Sequence, residues 1–62
     1  MGICFCIRTH KKEGQLFVAD DVYPYQVSKT RDGIIVCYMV YFAKNSVITY
    51  TQKQFDTKFS LS

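Results

Sequence analysis

The chain has no tryptophan, one proline, one histidine and three glycines among 62 residues. Leucine occurs only as Leu16 and Leu61. A helical bundle would therefore have to be assembled from residues of poor helix propensity. No apolar run reaches the roughly 18 residues that a membrane-spanning helix needs. The opening apolar segment is short and has no basic stretch before it, so no secretory signal is read there. An odd number of cysteines, three, excludes complete pairing within one chain, and the thiols are expected to be reduced in a cytoplasm. Acidic residues are also few, five against eight lysines and arginines, for a formal net charge of +3.

What remains is rich in strand-forming residues. Hydrophobic residues make up 48% of the chain and include five Tyr and five Phe, which is too apolar for disorder and favours an all-β domain. The basic residues are scattered over Arg8, Lys11, Lys12, Lys29, Arg31, Lys44, Lys53 and Lys58, mostly at expected turns. This pattern fits a solvated rim better than a concentrated nucleic-acid groove.

The longest apolar run, Ile-Ile-Val-Cys-Tyr-Met-Val-Tyr-Phe at 34–42, organises the rest. Ile34, Val36, Tyr38, Val40 and Phe42 share one face of an extended strand, and Ile35, Cys37, Met39 and Tyr41 share the other. Both faces are apolar, so the strand must be bent into two layers or keep one face for a partner. Before it, residues 3–8 alternate as a first strand with Ile3, Phe5 and Ile7 toward the core. Residues 9–14 read as a charged loop, 15–19 as an extended segment, and 20–24 as a second loop containing Pro24. Residues 25–28 alternate again, and Asp32-Gly33 gives the clearest hairpin signal.

After the long strand, residues 43–46 form a turn with Asn45 suited to a left-handed conformation, and 47–51 form a β-branched and aromatic strand. Thr51 and Gln54 have capping-box spacing, which predicts a single helical turn that lets Phe55 and Phe59 cover one end of the fold. The expectation is one domain over residues 1–62, with about five antiparallel strands closed or nearly closed into a barrel.

From Gly14 onward, the order of Phe17, Tyr25 and Val27, Asp32-Gly33, Thr49-Tyr50, and Phe55 and Phe59 resembles small SH3-like β-barrel accessory proteins of bacteriophages. The resemblance covers about three quarters of the chain and is one of pattern. It implies a bacteriophage protein acting in the cytoplasm of an infected bacterium. The implied partner is a host protein, namely a restriction, transcription or toxin-antitoxin immune target that is inhibited or triggered in an anti-defence role. SH3 domains that bind proline-rich peptides carry a groove Trp absent here, so that mode is disfavoured.

Cys4, Cys6, His10 and Cys37 supply zinc-type donors, but the one-residue gap between Cys4 and Cys6 is not that of a zinc knuckle. The Met1-Gly2 start lacks the Ser or Thr of a myristoylation pattern, with Cys6 in its place. Cys6 with His10 would need an orienting third group, and Asp20 with Asp21 point apart when extended. No phosphate-binding glycine loop is present. Enzyme activity and a cofactor are therefore not expected.

Exposed tyrosines beside lysines suit either single-stranded nucleic acid or a protein interface. Surplus apolar area on the long strand favours protein. The candidate partner-binding residues are Tyr23, Tyr25, Tyr38, Met39, Val40, Tyr41 and Phe42, with single-stranded nucleic acid the alternative ligand and homodimerisation a third use.

Overall fold

A computed structural model describes residues 2–61. Alternating apolar residues and turn-forming dipeptides generate seven strands and one helix. They are β1 (Gly2–Cys6), β2 (His10–Lys12), β3 (Gln15–Phe17), β4 (Val22–Lys29), β5 (Ile35–Ala43), β6 (Ser46–Tyr50), α1 (Gln52–Lys58) and β7 (Phe59–Ser60). Five strands form an antiparallel sheet in the order β6-β5-β4-β1-β7, and β2 with β3 forms a separate hairpin. The all-β expectation holds, but the barrel does not close. β6 and β7 remain the two edges, α1 packs against β5, β6 and β7, and the two residues of β7 are too few to bridge the gap.

The long apolar run becomes β5, flanked on both sides. Its pairing shifts register twice, once beside Ser28 and Lys29 and once between Tyr41 and Ala43, leaving Val36 and Phe42 as the extra residues. Bulges bend a strand and can change which side chains face inward. At the first, Val36 is 58% exposed while Ile35 packs on the core, against the simple alternation. Beyond it, Tyr38 and Val40 point inward and Phe42 rests on the core.

β1 corrects the sequence reading more sharply. Cys4 and Cys6 are buried, whereas Ile3 and Ile7 are exposed and Phe5 is half-buried. Cys4 pairs with Tyr23 across the ladder, and both lie on the inner side. The bulky residues around it, Phe17, Tyr23, Tyr50 and Phe59, leave room for a thiol rather than a branched side chain.

The charged segment read as a loop instead contains β2, paired with β3 around Glu13 and Gly14, whose φ values are 51° and 83°. Positive φ at both central positions gives the twist of a two-residue hairpin. The second expected loop ends earlier than predicted, because β4 starts at Val22 and includes Pro24. Pro24 pairs with Ile3, and the register with β5 begins only at Tyr25. The Asp32-Gly33 turn forms as expected: Gly33 has φ 81°, and Thr30 N–H donates to the Ile34 carbonyl at 2.9 Å. Asn45, in contrast, is not left-handed; among the described non-glycine residues only Glu13 and Asp20 have positive φ.

The capping box is present in both directions. Gln54 N–H donates to Thr51 Oγ1 and Thr51 N–H donates to Gln54 Oε1, each at 3.1 Å. The helix runs for seven residues rather than one turn, and it presents Phe55 inward. Phe55 stacks on Tyr38 at 4.1 Å and on Phe59 at 5.2 Å between ring centroids. Phe59, in β7, then meets Phe17, Tyr23 and Tyr50 edge to face. One continuous ring cluster thus joins the sheet, the hairpin and the helix.

Candidate functional site

The alternation that fills the core leaves a second set of apolar side chains on the outer side of the sheet. Ile3 stands opposite Pro24, Phe5 opposite Val22, Gln26 opposite Met39, and Tyr41 opposite Val47. Ile3 is 58% exposed and Val22 62%, Val47 and Pro24 are also exposed, and Met39 and Tyr41 are half-buried. Tyr41 donates its hydroxyl to Gln26 Oε1 at 3.1 Å, which fixes the ring within this face.

Where β4 begins and β5 ends, this surface opens into a recess of about 490 Å³ lined by Val22, Tyr23, Pro24, Tyr41, Phe42, Ala43 and Lys44. The volume lies in the range of sites that accept an organic side chain or small ligand. Lys44 is its only charged residue. The bulge at Phe42 turns that ring against Phe17, so Tyr23 and Phe42 form the inner wall while Val22, Pro24 and Tyr41 come from the outer face.

Of the seven candidate partner-binding residues, the recess gathers Tyr23, Tyr41 and Phe42. Met39 lies beside them on the outer face. Tyr38 and Val40 are core residues, 7% and 0% exposed, and are removed from the contact set. Burial raises the Tyr38 hydroxyl pKa, with Asp56 adding to the effect. Tyr25 is placed elsewhere, half-buried against Tyr38 and Phe55 with its ring over Gly2. The sequence alone places Val22 and Pro24 in a loop and turns Ile3 toward the core, so none of the three stands out as a contact residue until β4 starts at Val22 and β1 faces its thiols inward.

His10 departs from the exposed turn position expected of it. It is half-buried, stacked on Phe17 at 5.2 Å, and held at both nitrogens. Nδ1 lies 2.6 Å from the Arg8 carbonyl, which can only accept, so Nδ1 carries the proton. In the neutral ring, Nε2 then accepts from the Tyr50 hydroxyl at 2.8 Å.

Cys6 Sγ lies 3.8 Å from His10 Nδ1 but donates to the same Arg8 carbonyl at 3.0 Å. With Nδ1 already protonated, this pair lacks the acceptor that would take the thiol proton. Burial pushes the Cys6 thiol pKa up. Cys4 is likewise raised by burial, to about 11, and Tyr50 is pushed up by burial with the Cys6 thiol adding to it. The four zinc-type donors do not converge: Cys37 lies on β5 away from the buried pair, and among the described residues no cluster of three or more His, Cys, Asp or Glu is placed to hold a metal.

The fold and recess define a small all-β protein with an open five-stranded antiparallel sheet. Among the described residues no helix is long and apolar enough to cross a membrane. No protein-family description matches the chain, and neither the curated proteins nor the solved structures contain a match.

Proposed function

We propose that this chain is a non-enzymatic binding module that receives an apolar segment of another protein at the recess between the start of β4 and the end of β5. The observation that carries the reading is the outer face itself, where Ile3, Val22, Pro24 and Val47 are exposed beside Met39 and Tyr41. A contiguous apolar surface on a small domain marks an interaction site more often than scattered single residues do. Tyr and Met suit such a contact because they supply area with adaptable packing. Lys44, at the rim, favours a partner with an aliphatic or aromatic anchor flanked by a carboxylate.

The pattern resemblance to phage accessory barrels supports a host protein as that partner, with restriction, transcription and toxin-antitoxin targets as the classes to test first. Binding would act by occluding a target surface or biasing its conformation. Capture from bacterial lysate should compare wild type with Val22→Asp, Tyr41→Asp and, as a control on another exposed apolar residue, Ile34→Asp. The reading requires a partner that is lost with the first two and kept with the third, all three variants remaining folded by circular dichroism. Equal retention by all variants refutes the site. Oligonucleotide binding that weakens steeply with salt, in the absence of a protein partner, transfers the assignment to single-stranded nucleic acid. Sedimentation at micromolar concentration tests whether the same face pairs two copies.

A further inference from the structure

A second recess shares no residue with the apolar one. It is small, about 180 Å³, and is lined by His10, Lys11, Lys12, Tyr50, Gln54 and Lys58. β2 supplies His10 and the Lys12 ammonium on one side, with the exposed Lys11 between them, while α1 supplies Gln54 and Lys58, four residues apart and therefore on one helix face. No carboxylate lines the recess, and among the described residues none of its three lysines is paired with one. Glu13 lies outside it, in the exposed turn after Lys12.

The positions of these groups are constrained. Lys12 and Lys58 are half-buried, and Lys12 Nζ sits 5.0 Å from the Tyr50 ring centroid. Gln54 Oε1 is occupied by the Thr51 N–H, so its amide orientation is set and the Nε2 hydrogens remain to donate elsewhere. The like charges of half-buried Lys12 and Lys58 at the wall of a small concavity repel one another unless an anion enters. The volume falls below the roughly 300–1,000 Å³ of sites for drug-sized molecules, which selects a compact group over a base and sugar together. Lysine serves phosphate as a point charge, and several of them match a dianion better than a single carboxylate.

We propose that this recess, walled by β2 and α1, is a binding site for a phosphate dianion, free or as a phosphomonoester. The ammonium groups supply charge, and the Gln54 amide supplies a directional donor.

Gln54→Glu provides the cleanest test. Glutamate preserves the capping box, because its carboxylate still accepts from the Thr51 N–H, but it places a negative charge in the recess. Inorganic phosphate should be titrated at constant ionic strength against a sodium chloride reference while the side-chain resonances of Gln54, Lys12 and Lys58 are followed by NMR. Wild type should show saturable shifts that chloride does not produce. Lys12→Gln and Lys58→Gln should each weaken binding severalfold, and Gln54→Glu at least tenfold without loss of fold. Glycerol phosphate in place of inorganic phosphate distinguishes an esterified ligand from the free ion. Shifts identical to those in chloride, undiminished affinity in Gln54→Glu, or equal binding of an unphosphorylated oligothymidylate would each overturn the assignment.

Discussion

The inward facing of Cys4 and Cys6 makes a quantitative prediction for iodoacetamide labelling. Alkylation requires a thiolate with access to reagent. At pH 8, a thiol of pKa 9.0 is about one-tenth ionised, whereas one raised to about 11 is about one-thousandth ionised, so burial slows Cys4 about a hundredfold through ionisation alone. The other route runs through unfolding. At roughly 0.05 kcal/mol per residue, the low end for folded domains, this chain would have about 3 kcal/mol of stability, and the unfolded population would again be about a hundredfold depleted. By either route Cys4 reacts at least about a hundred times more slowly than in denaturant. Cys6, fully buried with its pKa raised and its S–H donating to the Arg8 carbonyl, should follow it, whereas half-buried Cys37 should be modified first.

Trypsin separates the outcomes, since cleavage after Arg8 isolates Cys4 and Cys6 from Cys37, and mass spectrometry reads each label. If Cys4 or Cys6 reacts within tenfold of its rate in denaturant while circular dichroism shows an intact sheet, the facing of β1 described above is wrong and Ile3, Phe5 and Ile7 occupy the core.

Two further outcomes follow from the ring cluster and the buried acids. Phe55→Ala removes a ring that is 1% exposed and stacked on two others, at a cost of about 3–5 kcal/mol. Against a total of about 3–9 kcal/mol, urea denaturation should show the variant losing about a third of its stability or more, unfolded at room temperature if the total lies near 3 kcal/mol, and an unchanged midpoint would contradict the packing. Alkaline pH should also destabilise the fold. Cys4, Cys6, Tyr38 and Tyr50 all have raised pKa values, so the unfolded chain loses these protons first. For Cys4 the contribution is intact below pH 9 and drains away as pH rises toward about 11. Urea midpoints measured from pH 7 to 11 should fall over that window, and a flat profile would show that the thiol is solvated.

Local chemistry made part of this fold readable from sequence. Thr51 and Gln54 form their reciprocal bonds because the capping box needs only neighbours along the chain, and Gly33 turns where Asp-Gly said it would. Facing is a tertiary matter. Residues 3–7 present Ile3, Phe5 and Ile7 on one side and two thiols on the other, and hydrophobicity alone favours the larger residues. Packing chose the small ones, because the space between sheet and hairpin is already filled by rings. Charge hid β2, whose lysines flank a basic recess instead of marking a loop. In the candidate interface, Tyr41 and Phe42 stand out as surplus apolar residues of the long run; which of the two apolar faces turns inward is set by packing on Phe17, Tyr50 and Phe55, and the exchange of Ile35 for Val36 depends on a bulge that no composition signals.

The pairing of Phe5 with Ser60 has a consequence for how the chain reaches this state. It ties together positions 55 residues apart in a described segment of 60, so almost all of that segment must be gathered before β7 can dock. Such distant closure carries an entropy cost before any reward and slows folding relative to helical domains of the same size. During synthesis, β1 would leave the ribosome with its outer rung empty and its thiols uncovered until residues 59 and 60 emerge. The sheet must therefore pass through a stage in which β1 holds β4 on one side and nothing on the other.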